Sequence, residues 1–206
     1  MTQQEVREKY KLLRKEYETS AEKVKKKLTL VSFSRLGVFI AGGVLSGYAF
    51  TISSLAGGII LLFSVCTFLL LVRFYQVLSD KNNFLENLVR INDSELKALD
   101  GDYSDFDSGA KWIDPHHDFS HDVDLFGDDS LFRYLNRTVT GYGRAILAKI
   151  LSEPSARHED ITAAQEAINE IVPKIKWRQD FMAHGLGKPL ENEDFDELKL
   201  WLLDEN

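Results

Sequence analysis

Residues 28–74 read LTLVSFSRLGVFIAGGVLSGYAFTISSLAGGIILLFSVCTFLLLVRF. No Asp, Glu, Lys, Arg or His occurs between Leu36 and Val72. A helix rises 1.5 Å per residue, so about 20 mostly apolar residues cross the roughly 30 Å of bilayer hydrocarbon. The stretch is long enough for two crossings, with a short polar pause at Ala49-Phe50-Thr51-Ile52-Ser53-Ser54. It therefore reads as a transmembrane helical hairpin over 30–74, with spans of about 30–50 and 54–74. A secretory signal has one short apolar run behind a short basic start, whereas this apolar part is about twice too long and comes after a long polar segment. A single tilted span leaves many apolar residues over. The remainder of the chain is too polar to enclose a buried soluble hairpin of this length.

Charge orients the hairpin. The 206 residues carry a net charge of −7, unevenly placed: 12 Lys and Arg against 6 Asp and Glu up to Lys81, then 13 against 26. Basic residues flank the apolar stretch on both sides, from Arg7 to Lys27 and at Arg73 and Lys81, and the connecting loop has none. Basic flanks favour the cytoplasmic side. The expected location is the inner (cytoplasmic) membrane, multi-pass, with both termini cytoplasmic. The partners expected are the bilayer and its anionic headgroups, met by Lys23, Lys25, Lys26 and Lys27; each contributes about 1 kcal/mol near such a surface. Nucleic-acid binding by the basic helix is opposed by its interspersed glutamates, and the segment beyond the hairpin is acidic. Phosphate neutralisation needs clustered Lys and Arg, so DNA is not an expected partner of this segment alone. Cys66 is the sole cysteine, so no intrachain disulfide forms.

The fold class expected is all-α. Residues 1–29 read as a basic amphipathic helix with a seam of Val6, Tyr10, Leu13, Tyr17 and Val24, and 75–92 as a second helix with Val77, Leu78, Leu85, Leu88 and Ile91, bounded by Asn92-Asp93-Ser94. Leaving the membrane side by side, the two bury their seams against each other as an antiparallel coiled-coil stalk. Within the spans, Gly43 and Gly47 form a small-xxx-small pattern, and Gly57 and Gly58 lie in the second span. Small residues let backbones approach closely in lipid. Packing of the spans on each other is the favoured use; a homodimer is the alternative. No Asp, Glu, Lys or His lies inside either span, and Arg35 near the start of the first can snorkel, so the hairpin reads as an anchor rather than a transporter.

Residues 93–127 read as an acidic, loop-rich linker. It holds Asp114-Pro115-His116-His117-Asp118-Phe119-Ser120-His121-Asp122-Val123-Asp124. His117 and His121, with Asp118, are the candidate metal ligands, since i,i+4 histidines share a helix face. Pro115 and the polar residues around it favour turns, so no metal site is expected, and Phe106, Trp112, Ile113, Phe119 and Leu125 dock the linker on the domain after it. Residues 128–206 read as that small helical domain. Asp128 or Asp129 caps a helix with Leu131, Phe132 and Leu135; Thr140 caps the next, which ends before Pro154. Further helices run about 159–172, from Ile175 to near Gly185, and from about Asn192 through Phe195, Leu198, Trp201 and Leu202. Asn136-Arg137-Thr138 matches a glycosylation acceptor, on the side of the membrane where it goes unused.

The run from Asp129 to Arg144, with Asn136, Thr138, Thr140, Gly143 and Arg144, then Leu147, Leu151 and Pro154, resembles the start of the core domain of the MutS family of mismatch-repair proteins. Ile161, Gln165, Ala167, Ile168 and Ile171 match the family's next helix, and the likeness covers roughly residues 125–180. The residues look structural: the threonines bond at a helix–helix corner, Gly143 allows close approach and Arg144 braces it. The family's mismatch-reading domain has no counterpart here; the hairpin and stalk stand in its place. There is no G-x-x-x-x-G-K-[ST] phosphate loop and no catalytic motif in the chain. The arrangement resembles membrane-anchored MutS-like proteins. The resemblance implies the N-terminal portion and tether of a DNA-repair-type ATPase, with ATP, Mg and DNA bound only by a longer chain and no cofactor in this one. The other reading is a small membrane adaptor whose acidic cytoplasmic helices bind a protein partner.

Overall fold

The structure is a computed structural model that describes residues 2–154 and 157–187. Its elements are α1 (Gln3–Ile52), α2 (Ser54–Leu99), a 3₁₀ turn at Ala110–Trp112, α3 (Leu131–Leu135), α4 (Gly141–Ser152), α5 (His158–Ile171) and α6 (Ile175–Gly187). The fold is all-α, and no strand occurs among the described residues. The helix expected from Asn192 lies outside them. Only Ser53 separates α1 from α2: its N–H donates to the Ala49 carbonyl at 2.9 Å and its carbonyl accepts from Gly57 at 3.0 Å. The chain divides into a hairpin unit, 15–86, and a helical unit that combines the chain up to Arg14 with the chain from Asn87 onward.

In the hairpin unit α1 and α2 pack antiparallel. Phe39 meets Phe68 at 6.3 Å between ring centroids, and the Arg35 guanidinium lies over Phe68 and Tyr75 at 5.5 and 5.2 Å. Tyr17, Val24 and Val31 are buried one heptad apart, and this seam runs on at three- and four-residue steps through Val38 to Gly42, Ser46 and Ala49. A Cβ added to Gly42 would sit 1.8 Å from Ser64 Oγ, and one on Gly57 would sit 2.5 Å from the Phe50 ring. Gly43, Gly47 and Gly58 have nothing within 4 Å of such a carbon. The close approach is therefore made by Gly42 and Gly57, not by the Gly43–Gly47 pair. A step of one residue turns a helix by about 100°, and the seam inherited from Val31 puts Gly42 on the inner face.

In the helical unit, Arg7 pairs with Asp100 at 2.6 Å, and Arg14 pairs with Asp93. The arginines are one heptad apart on α1; Asp93 lies on α2, and Asp100, seven residues on, directly follows its last residue, Leu99. The Asn92-Asp93-Ser94 triplet does not end α2, which continues to Leu99. Each of its polar side chains has a tertiary partner: Asn92 bonds the Leu88 carbonyl and Gln179, Asp93 takes Arg14, and the Ser94 hydroxyl donates to Asp105 at 2.7 Å. Residues 100–130 are irregular, but they enclose a core. Phe132 is fully buried, with Trp112 and Phe126 at 5.3 and 5.6 Å. Leu125 is buried as well, whereas Ile113 and Phe119 are exposed, so docking of this segment rests on the first group. Gly109, at φ +70°, lies against Phe132: an added Cβ would be 2.7 Å from the ring. Arg133 donates to the backbone carbonyls of Tyr103, Phe106, Asp128 and Ser104 at 3.0 to 3.2 Å. One guanidinium thereby satisfies the carbonyls that a strandless loop leaves without ladder partners.

Candidate functional site

Two features of the molecule are candidates for function: the outer face of the hairpin unit, and the corner between α3 and α4 in the helical unit.

The hairpin unit is inverted relative to a soluble core. Phe33, Leu55, Phe63 and Leu70 are 69, 74, 74 and 70% exposed, while the buried residues between 40 and 60 are Gly42, Ser46, Ala49 and Gly57. Large apolar side chains point outward and small ones inward. Water penalises that arrangement by roughly 25 cal/mol for every Å² of apolar surface left exposed; hydrocarbon does not. Both helices are long and apolar enough to cross a membrane, and only 11% and 6% of their most apolar windows is buried. The core helix of a soluble protein shows the reverse. The two helices thus carry membrane association as a structural property. The lysines at 23, 25, 26 and 27 are all exposed, with Val24 between them on the inner seam.

The α3–α4 corner is built from adjacent residues. Ser130 caps α3, its hydroxyl accepting from the Arg133 N–H at 3.2 Å; the cap is this serine rather than Asp128 or Asp129. Asn136 is almost wholly buried. Its Oδ1 accepts from the Thr138 N–H and hydroxyl at 3.0 and 2.7 Å, and its Nδ2 donates to the Asp107 carbonyl at 3.2 Å. An amide so enclosed is closed to glycosylation in the folded chain. Thr140 caps α4, accepting from the Gly143 N–H at 3.1 Å, and a Cβ on Gly143 would lie 3.1 to 3.5 Å from the Thr140 and Thr138 side chains. The Arg144 guanidinium reaches the Asp107 carboxylate at 3.7 Å. The structure thus brings Asn136, Thr138, Thr140, Gly143 and Arg144 together. Pro154 is not part of the group: it lies past the other end of α4, which closes at Glu153.

Several residues at this corner have no local signature. Arg137 forms a two-pronged ion pair with Glu95 of α2 at 2.6 and 3.3 Å and stacks on Phe106 at 3.8 Å. A cavity of about 340 Å³ opens beside the pair, walled by Ser94, Asp105, Asp107 and Arg144, and the pair also lines a second of about 220 Å³. Asp105 accepts from the Ser94 hydroxyl and from Lys97 at 3.0 Å, and these bonds, the Ser94 one first, hold its carboxyl below the usual value. Burial raises the Tyr10 phenol. Glu95 and Arg137 are 42 residues apart, so only the fold reveals them as partners.

The segment Asp114 to Asp124 is a succession of turns. His117 Nδ1 accepts from the Ser120 N–H at 3.3 Å and its ring meets Phe119 edge-on at 4.7 Å. His117, Asp118 and His121 do not converge, and no group of three His, Cys, Asp or Glu able to hold a metal ion occurs among the described residues. The turn backbone, not a helix, separates the two histidines.

No family model, no curated protein and no solved structure matches this chain.

Proposed function

We propose that this chain is a membrane tether: its hairpin unit crosses the bilayer twice and its helical unit is held at the cytoplasmic face. The observation that carries the reading is the inversion of the hairpin, with phenylalanines and leucines outward and Gly42, Ser46, Ala49 and Gly57 inward. The absence of Lys and Arg from the loop at Ser53, against basic residues on both flanks, supports the orientation. The exposed lysines from 23 to 27 fit anionic headgroups of an inner membrane. High-speed centrifugation of a detergent-free lysate tests the tether; recovery of the protein in the supernatant removes it. Cysteines introduced at Ser53 and at Lys9, in a Cys66→Ser background, test the orientation. A membrane-impermeant maleimide added outside intact cells labels the first and spares the second.

The resemblance of the Asn136–Arg144 corner to the MutS core supports a more particular version, in which the tethered body is the beginning of a MutS-like ATPase. What favours it is the corner itself, where the residues of the likeness meet. In that version ATP, Mg and DNA are bound by parts encoded beyond Asn206. The adaptor reading is favoured instead by apolar residues left exposed on α5 and α6, among them Ile161, Ile168, Trp177 and Phe181. Sequencing the gene past Asn206 separates the two: an in-frame phosphate loop supports the first, and a stop codon the second.

A further inference from the structure

Arg35 is a charge that the hairpin does not neutralise. It precedes Ser53 by 18 residues, which is about 27 Å along a helix and close to the roughly 30 Å of bilayer hydrocarbon. In the tether reading, on which this inference rests, Arg35 therefore lies where acyl chains give way to headgroups at the cytoplasmic face. It stands on the inner seam of α1, one turn after the buried Val31, and is itself half-buried. Its guanidinium carbon is 5.5 Å from the Phe68 ring centre and 5.2 Å from that of Tyr75. Those two residues are about 10 Å apart along α2, so the group is clasped between their rings. Ring faces attract a cation but carry no net charge to cancel it. No Asp or Glu occurs from Lys23 to Ser79. Asp80 is exposed and, five residues past Tyr75, is turned about 140° away from it around α2. Arg35 has no hydrogen bond or ion pair among the described residues, and of its three nitrogens only Nε is enclosed. The two Nη groups are its open edge.

We propose that the Nη edge of Arg35 binds the phosphate of one anionic phospholipid of the cytoplasmic leaflet, seated at the α1–α2 seam beside Phe68 and Tyr75. The two Nη groups donate end-on to two phosphate oxygens, a two-pronged contact that an arginine offers and a lysine does not. A charge at the edge of the hydrocarbon needs a partner, and with no carboxylate in the hairpin between residues 23 and 79 the partner comes from lipid. The same absence selects the lipid. The ammonium of a zwitterionic headgroup would find no carboxylate there, so a headgroup whose phosphate charge is uncompensated fits better. The lysines at 23, 25, 26 and 27 act differently: they are exposed and begin eight residues, about 12 Å, further from the hydrocarbon. They attract anionic lipids as a diffuse surface charge, whereas the ring-clasped arginine holds one lipid per hairpin.

The test uses the full chain reconstituted in phosphatidylcholine vesicles, with phosphatidylglycerol spin-labelled on an acyl chain as the probe. Electron spin resonance reads the fraction of label immobilised by the protein. An at least threefold preference over spin-labelled phosphatidylcholine is expected, with a component that saturates at one lipid per chain. Arg35→Gln should abolish that component. Arg35→Lys, which keeps the charge and loses the fork, should weaken it at least twofold. Phe68→Leu removes one of the two rings while keeping an apolar side chain, and should also weaken it at least twofold; it serves if Arg35→Gln disturbs the hairpin. Lys23→Gln, Lys25→Gln, Lys26→Gln and Lys27→Gln combined should lower the unsaturable part and leave the saturable component in place. Inserted protein that immobilises the two lipids equally overturns the proposal and leaves the tether standing. A preference that survives Arg35→Gln, is unchanged by Arg35→Lys, or vanishes with the four lysines overturns it as well. Protein that fails to sediment with the vesicles removes the tether and this lipid site together.

Discussion

Asn92 accepts a hydrogen bond from Gln179 at 2.9 Å, across 87 residues of sequence, and both side chains are buried. The bond ties the end of α2 to α6 in a place where water cannot replace either partner. Asn92→Leu leaves the Gln179 amide nitrogen buried and unsatisfied, and should lower unfolding stability by about 2 kcal/mol. Asn92→Leu combined with Gln179→Leu removes both polar groups at similar volume and should recover more than half of that loss. Denaturant unfolding in nanodiscs monitored by tryptophan fluorescence measures both. A double variant no more stable than the single one would show that the pair is not coupled.

Gly42 faces Ser64 across the hairpin, and Gly43 faces outward. Gly42→Leu should therefore separate the two helices and lower hairpin stability by roughly 1–3 kcal/mol, the usual range for overpacking a filled contact. Gly43→Leu should change it by less than about 0.5 kcal/mol, as substitutions away from packed contacts do. Thermal unfolding in the same detergent compares them. Equal effects would remove the seam assignment.

Gly109 and Gly101 both have positive φ, +70° and +87°, but only Gly109 meets a neighbour, the Phe132 ring. Alanine at Gly101 should cost the left-handed strain alone, about 1–2 kcal/mol. Alanine at Gly109 adds a clash with the most buried aromatic residue and should cost at least about 1 kcal/mol more. Urea unfolding of the two variants side by side measures the difference. A smaller effect at Gly109 than at Gly101 would contradict the packing described around Phe132.

Asp105 holds a proton less readily in the folded chain than in the unfolded one, chiefly because of the Ser94 hydroxyl and then Lys97. Its contribution to stability is therefore full above its ordinary value of 3.8 and is lost as pH falls through the lower folded value. Asp105→Asn should be less stable than the parent at pH 7, and the gap should narrow as pH drops below 4. Unfolding curves at pH 7, 5, 4 and 3 measure it, and a gap that widened on acidification would reverse the sign of the argument.

What the sequence determined by itself was whatever depends on composition over a helix length or on neighbours a few residues apart. The charge-free run from Leu36 to Val72 specifies two apolar helices, and the polar pause from Ala49 to Ser54 contains their break at Ser53. Thr140 announces α4 because a cap acts on an N–H three positions away. Only the tertiary structure decided which polar residues end a helix and which loop carries a core. Asn92, Asp93 and Ser94 have the composition of a stop, yet α2 passes through them because Gln179, Arg14 and Asp105 satisfy their side chains from elsewhere in the chain. The 100–130 segment has the composition of a linker, yet it closes over Phe132, and Arg133 meets its carbonyls. The choice of Gly42 over Gly43 likewise rested on a seam that begins near Tyr17. Burial and hydrogen-bond satisfaction are sums over partners distant in sequence, and no local window contains them.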